Sequence, residues 1–149
     1  MTPAKPVRLL LDVNVLIALF DDDHFFNGKA RALFARPKLQ IATCPLVENG
    51  VMRVLNAPRY SKLGPLGFEP VRQRLIQITK DTDHQFWPDD VSIRSAGVIH
   101  FEHLLGHNQL TDAYLLALAI KHGGSLATFD QTVALSAVHG ARSAHLTLL

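Results

Sequence analysis

Short apolar runs, each too brief for a typical helix, alternate along this chain with longer segments of helical periodicity. The runs are Val7–Leu11, Leu39–Ala42, Leu126–Phe129 and Ala144–Leu149. Runs of this kind are typical of parallel strands that are buried on both faces. The segments between them have the length of single helices, about 10–15 residues. The alternation therefore predicts an α/β fold of three layers (α/β/α), in which helices cover both faces of a mostly parallel central sheet.

The chain length suits one such domain. It has 149 residues, and single domains usually have about 100–150, so we expect one domain over residues 1–149. Hydrophobic residues make up 48% and charged residues 19%, a composition that excludes an intrinsically disordered chain. One cysteine, Cys44, excludes an internal disulfide and favours a reducing compartment. No segment resembles a signal peptide or a membrane span, so we expect a cytoplasmic protein without a membrane partner.

Helical periodicity and capping residues predict the helices in the remainder of the chain. The predicted helices are Asn14–Phe20, His24–Arg36, Pro45–Leu55, Pro70–Thr79, Ser92–Leu105 and Thr111–His122. Thr111 is expected to cap the last of them, and Gly123–Gly124 to end it. Proline and glycine predict a loop over Asn56–Gly67, and a brief strand is predicted at Phe86–Trp87.

Four carboxylates fall where these elements begin or end. Asp12 and Asp130 each end an apolar run, and Glu48 and Asp112 lie near the starts of predicted helices. The carboxyl ends of parallel strands, and the starts of the helices that follow them, meet at one edge of a sheet. A single Asp at a strand end is more often a turn or cap residue. The four together predict an acidic site at that edge.

Such a site needs a compensating positive charge. Carboxylates packed together raise one another's pKa, and no Lys or Arg adjoins any of the four in sequence. Mg²⁺ and Mn²⁺ prefer oxygen ligands and would neutralise the site as one ion or two. An acidic site that holds such ions suits phosphodiester hydrolysis, because a bound cation lowers the pKa of an attacking water.

Four segments, taken together, resemble the PIN domain family, and more narrowly the VapC-type toxins of bacterial type II toxin–antitoxin systems. They are Leu9–Phe20, Cys44–Leu55, Leu110–Gly124 and Leu126–Asp130. The resemblance implies a Mg²⁺- or Mn²⁺-dependent endoribonuclease that forms a homodimer and is inhibited by a cognate antitoxin. It implies that the catalytic and metal-binding residues are Asp12, Glu48, Asp112 and Asp130. Supporting polar positions, which orient ligands or water, would be Asn14, Thr111 and Thr128.

One stretch, from Arg53 to Lys80, is basic. It contains six Lys and Arg residues against the single acid Glu69. It either contacts RNA phosphates beside the acidic site or is ordinary solvated surface. The candidate RNA contacts are Arg53, Arg59, Lys62, Arg72 and Arg74. The apolar residues among them, which include Leu63, Leu66 and Phe68, would stack on bases or meet an antitoxin or a second copy of the chain.

Other functions remain open on the sequence. A housekeeping PIN-type RNA-processing nuclease would carry the same four acids. A non-catalytic RNA-binding module or a phosphoacceptor signalling domain is a different class. The phosphoacceptor would need a late lysine, and the only one after Asp112 is Lys121, at the far end of its predicted helix. His100, His103 and His107 have a helical spacing that could mimic a zinc site, but no cysteine cluster supports them.

Overall fold

Five parallel strands form the centre of the molecule. The computed structural model describes residues 5–149. The strands are β1 (Leu9–Leu11), β2 (Gln40–Thr43), β3 (Asp83–Phe86), β4 (Ser125–Thr128) and β5 (Leu146–Leu148). They pair in the order β3-β2-β1-β4-β5, and every pairing is parallel. The predicted α/β fold with a parallel sheet is confirmed.

Five α-helices connect and cover these strands. They are α1 (Val13–Phe20), α2 (Asn27–Phe34), α3 (Pro45–Leu55), α4 (Phe68–Asp81) and α5 (Gln109–Lys121). Short 3-10 helices occur at Phe101–His103, Leu135–Ala137 and Ser143–His145. None of the helices within residues 5–149 is both long and apolar enough to cross a membrane.

Burial follows position in the sheet. Every residue of β1 and β4 is buried, as is most of α5. The edge strand β3, with the sequence DHQF, is largely exposed. Because β1 and β4 are neighbours, with Leu11 opposite Ala127, the residues that follow these two strands emerge side by side at the carboxyl edge of the sheet.

Helices α1 and α3 pack in close contact next to this edge. A Cβ atom at the buried Gly50 would lie only 2.8 Å from Cγ2 of Val13. Only glycine therefore fits at this position without a shift of the neighbouring side chain. The contact holds the first turn of α3, which carries Glu48, beside the start of α1, which follows Asp12.

The predicted helix over Ser92–Leu105 was wrong. Gly97 has a φ of 77°, a left-handed conformation that interrupts a right-handed helix. Ile99 instead forms an isolated antiparallel bridge with Val138. Of this stretch only Phe101–His103 is helical, as a single 3-10 turn. His100, His103 and His107 therefore lack the helical spacing on which a zinc site would depend.

Several other element boundaries also differ from the prediction. The helix predicted from His24 begins at Asn27, because the His24 ring accepts a hydrogen bond from the backbone N–H of Phe26 in the preceding turn. The brief strand predicted at Phe86–Trp87 is β3. Thr111 does not cap α5, which begins two residues earlier, at Gln109, after an N-cap residue that makes no side-chain hydrogen bond.

Candidate active site

Asp12 links the end of β1 to the start of α1. Its Oδ1 accepts a 2.7 Å hydrogen bond from the Val13 N–H, and its Oδ2 accepts one of 2.7 Å from Oγ1 of Thr128. Only 6% of the residue is exposed. Burial raises the pKa of Asp12, the two hydrogen bonds offset part of that effect, and the charge of Asp130 adds to it. Asp12 is therefore held rigidly in a setting that disfavours its negative charge.

Asp112 and Asp130 lie within electrostatic range of Asp12. Asp112 is in the first turn of α5 and is buried. Burial, then the charges of Asp12 and Asp130 and a hydrogen bond with Asp130, raise the pKa of Asp112 to about 7. The pKa of Asp130 is lowered instead, chiefly because its Oδ1 accepts hydrogen bonds from the hydroxyl and the backbone N–H of Thr132. We call Asp12, Asp112 and Asp130 the acidic cluster.

Asn14 supplies a neutral oxygen next to the acidic cluster. Its Nδ2 donates a 3.2 Å hydrogen bond to Oγ1 of Thr128. Its Oδ1 is buried and has no hydrogen-bond partner among residues 5–149. A buried acceptor without a partner costs about 1–3 kcal/mol, so this oxygen is available to a ligand. Asn14 and Thr128 therefore lie beside Asp12, and their supporting role stays a prediction.

Glu48 is not part of the acidic cluster. Its Oε2 accepts a 2.6 Å hydrogen bond from Oγ1 of Thr43, at the end of β2. The Thr43 hydroxyl also lies 2.7 Å from Nε2 of His84, on β3. Because Thr43 donates its proton to Glu48, its oxygen accepts from His84. The charge of Glu48 is not among the causes of the pKa shifts of the three aspartates.

The donor set of the acidic cluster suits a hard divalent cation. Within residues 5–149, no three Asp, Glu, His or Cys side chains close on one point as a complete metal site. However, the acidic cluster combines buried like charges with the unpaired Oδ1 of Asn14. All of these donors are oxygen atoms, and a cation would relieve both the repulsion and the unpaired carbonyl. The residues present therefore fit Mg²⁺ or Mn²⁺.

A cleft of about 660 Å³ lies beside the acidic cluster. Val13 and Thr111, which adjoin Asp12 and Asp112 in sequence, line it together with Arg53 and Asp89. Thr111 is exposed, so its side chain lies at the rim of this cleft and not in the buried cluster. Of the five candidate RNA contacts, Arg53 is the one that lines the cleft.

Two other candidate RNA contacts bond within the protein. Arg72 pairs with Glu69 at 3.0 Å on the exposed side of α4. Arg74 donates a 2.8 Å hydrogen bond to the backbone oxygen of Phe20, the last residue of α1. Asp12 caps the opposite end of that eight-residue helix, about 12 Å away.

The loop over residues 56–67 lies at the same distant end of α1. Tyr60 donates a 2.6 Å hydrogen bond to Asp21, the C-cap residue of α1. Arg59 and Lys62 are exposed on this loop. The basic stretch therefore does not form one continuous surface around the acidic cluster.

Sequence reasoning missed the residues that position the acids. Thr132 stands two residues after Asp130, a spacing typical of an Asx turn, and that signal was available. Thr43 and His84, which hold Glu48, carry no comparable signal, because they come from two strands and are 41 residues apart.

Comparison with known proteins identifies the family of this chain. The PIN domain family profile matches residues 9–138. Ribonuclease VapC44 of Mycobacterium tuberculosis (strain ATCC 25618 / H37Rv) is 43% identical over 144 residues, which cover 96% of this chain and 100% of the relative. Ribonuclease VapC38 of the same strain is 39% identical over 125 residues, covering 83% and 86%.

A solved structure has the same fold. The crystal structure of Mycobacterium tuberculosis VapC20, described as a sarcin–ricin loop cleaving toxin, superposes with a TM-score of 0.55. It covers 81% of this chain and 87% of its own, at 17% sequence identity. The family profile and the near full-length similarity to VapC proteins lead to one conclusion: this chain belongs to the PIN domain family, in its VapC group.

Proposed function

We propose that this protein is a divalent-cation-dependent endoribonuclease that acts as the toxin of a toxin–antitoxin pair. The observation that carries the proposal is the acidic cluster, in which burial and, to a smaller extent, the charges of Asp12 and Asp130 raise the pKa of Asp112 to about 7. An apolar or neutral set of residues would be more stable here, so the cluster is best explained by a bound cation. The relatives are named ribonucleases, and these names support RNA as the substrate.

In this proposal Asp12, Asp112, Asp130 and the Oδ1 of Asn14 hold the cation. A bound Mg²⁺ or Mn²⁺, as one ion or two, supplies positive charge at the scissile phosphate and lowers the pKa of the attacking water. Thr128 fixes the orientation of Asp12, and Thr132 fixes that of Asp130. Glu48, restrained by Thr43, orients the water molecule that attacks phosphorus. Thr111 supports Asp112 from the rim of the cleft.

RNA enters through the cleft that Arg53 lines. The guanidinium offers a planar, permanently charged donor set for phosphate oxygens. Arg59, Lys62, Arg72 and Arg74 stay candidates for weaker contacts outside the cleft, and Arg72 and Arg74 would have to leave their protein partners to make them.

The toxin proposal includes two protein partners. We expect a homodimer and a cognate antitoxin that binds and inhibits the enzyme. Leu63, Leu66 and Phe68 support this expectation, since they are 91%, 44% and 68% exposed. Neighbouring apolar side chains with this exposure are typical of surfaces that bind another protein. Sedimentation velocity of the purified chain, alone and with a candidate antitoxin, measures both associations.

The central experiment is RNA cleavage. The purified protein is incubated with total RNA in Mg²⁺, in Mn²⁺ and in EDTA, and the new RNA ends are sequenced. We expect discrete cleavage sites with either cation, none in EDTA and none with Asp112→Asn. Cleavage that persists in EDTA, or at the parent rate in the variant, would overturn the assignment. Relief of growth arrest by co-expression of the antitoxin separates a toxin from a housekeeping nuclease.

A further inference from the structure

Three phenylalanine rings form a continuous row that begins beside the acidic cluster and ends in solvent. Phe129, directly before Asp130, stacks on Phe26 with ring centroids 4.5 Å apart and an interplanar angle of 7°. Phe25 meets Phe26 edge to face at 4.9 Å and 80°. Phe25 is 91% exposed. We call these three rings the aromatic ladder.

The surface that follows the aromatic ladder in the chain is basic, whereas Asp22 and Asp23 are exposed just before it. The segment from Asn27 to Leu39 contains no acidic residue, and its four exposed cations are Lys29, Arg31, Arg36 and Lys38. The Nζ of Lys29 lies 5.6 Å from the ring centroid of Phe26. Lys29 and Arg36 line one small cavity of about 180 Å³. Aromatic faces beside cations are the combination by which proteins hold single-stranded nucleic acid.

This basic surface lies at the same edge of the sheet as the acids. Leu149 lines the cavity with Lys29 and Arg36, and its N–H donates a 3.0 Å hydrogen bond to the Thr128 oxygen at the end of β4. Asp130 follows that strand end by two residues. A nucleic-acid strand held on the aromatic ladder therefore reaches the acidic cluster without crossing the sheet.

We propose that Phe25 is a base-stacking subsite for an unpaired nucleotide of the RNA substrate that flanks the cleavage position. A splayed base packs on the exposed Phe25 ring, while Phe26 and Phe129 hold that ring in place from behind. Lys29 and Arg36 contact the neighbouring phosphates. The inference rests on the proposed ribonuclease function and adds where the substrate is held. The side of the aromatic ladder that Lys29 and Arg36 flank carries no acid from Asn27 to Leu39, and this favours RNA over a protein partner for that side.

The test measures binding without cleavage. All variants are made in the Asp112→Asn background, and the probe is a short single-stranded RNA in Mg²⁺. Phe25→Ala should raise the Kd about 5- to 150-fold, the range expected for the loss of one base stack. Phe25→Trp keeps an aromatic ring at this position and should bind with the same Kd as the Asp112→Asn protein that retains Phe25. Phe86→Ala is the matched control, because Phe86 is 54% exposed on the opposite edge strand β3, and it should leave the Kd unchanged.

An RNA with one abasic nucleotide tests stacking directly. The abasic position is moved along the oligonucleotide. At one position, the protein with Phe25 should bind the abasic RNA more weakly than the intact RNA. At that same position, the Phe25→Ala variant should bind both RNAs with equal affinity. If Phe25→Ala weakens intact and abasic RNA equally at every position, no base stacks there. If it leaves RNA binding unchanged but dissociates a dimer or an antitoxin complex in sedimentation, the surface is a protein interface. Either result overturns the proposal.

The two proposals fail in different ways. If the parent enzyme cleaves no RNA in Mg²⁺ or Mn²⁺, the proposed function is wrong. The Phe25→Ala variant is also made with Asp112 intact, so that it can cleave RNA. If the parent cleaves RNA and this variant does so with the same KM and kcat, only the stacking subsite is wrong. A raised KM with a largely retained kcat is the expected result, because the Phe26 ring lies between the Phe25 ring and that of Phe129, the residue next to Asp130.

Discussion

Thr128 donates a 2.7 Å hydrogen bond from Oγ1 to Oδ2 of Asp12, and so joins the ends of the two central strands. The same hydroxyl oxygen accepts hydrogen bonds from Nδ2 of Asn14, at 3.2 Å, and from the backbone N–H of Asp130, at 3.0 Å. One buried hydroxyl therefore sets the relative positions of three groups in the site. Such supporting contacts orient metal ligands and tune their affinity.

Thr128→Val removes these contacts and keeps the shape of the side chain. We expect Mg²⁺ affinity and RNA cleavage to fall about 10- to 100-fold, as measured by Mg²⁺ titration of the cleavage rate. Thr147→Val is the matched control, because it breaks the 2.7 Å bond between Ser125 and Thr147 on the adjacent strands. Equal losses of activity in the two variants would show that Thr128 acts only through the stability of the sheet.

The raised pKa of Asp112 predicts how stability depends on pH. Folding raises this pKa from 3.8 to about 7, so between these values the folded protein holds a proton that the unfolded chain has released. The contribution of Asp112 to the free energy of unfolding therefore falls as the pH rises through this window, in total by on the order of 4 kcal/mol. Asp112→Asn cannot titrate and should lack this decline.

Urea unfolding in EDTA across this pH window checks that prediction. The advantage of Asp112→Asn over the parent should grow as the pH rises towards 7, and Mg²⁺ should reduce it. Asp22→Asn, at an exposed position, is the control and should follow the parent. A difference between Asp112→Asn and the parent that is constant with pH would contradict the raised pKa of Asp112.

The sheet could be predicted where burial leaves a mark on the sequence. β1 and β4 are buried at every residue, so their apolar runs identify them. β3 is an exposed edge strand with one apolar residue, so the apolar pair Phe86–Trp87 indicated only its last residue. The helix predicted over Ser92–Leu105 failed because a local pattern does not report the positive φ of Gly97 or the long-range bridge of Ile99.

The site was predictable only in part for a related reason. Parallel topology places the ends of neighbouring strands together, and by this rule Asp12 and Asp130 were expected close to each other, as they are. The direction in which Glu48 points depends on its side-chain partners, Thr43 and, through it, His84. Side-chain orientation of this kind is decided by tertiary contacts, so the spacing of acids along the chain does not determine it.

Arg53 and Arg74 should have separable roles. Arg53→Ala removes a cation from the cleft beside the acidic cluster, so RNA affinity should fall and its logarithmic salt slope should decrease by about 1. Arg74→Ala removes the hydrogen bond to the Phe20 oxygen and should cost about 1 kcal/mol of stability with an unchanged salt slope. Filter binding at several salt concentrations and urea unfolding measure the two effects. The reverse pattern would place the RNA along α4 instead of the cleft.

Glu48→Gln tests whether Glu48 orients the attacking water or binds the cation. Because Thr43 restrains Glu48 outside the acidic cluster, we expect cleavage to fall about 100-fold while the Mg²⁺ concentration for half-maximal rate changes far less than in Asp112→Asn. The pH dependence of unfolding in EDTA should match that of the parent, since Glu48 does not contribute to the pKa shift of Asp112. Glu69→Gln, at an exposed acid on α4, is the control and should retain full activity. A loss of Mg²⁺ affinity in Glu48→Gln as large as that in Asp112→Asn would make Glu48 a direct ligand of the cation.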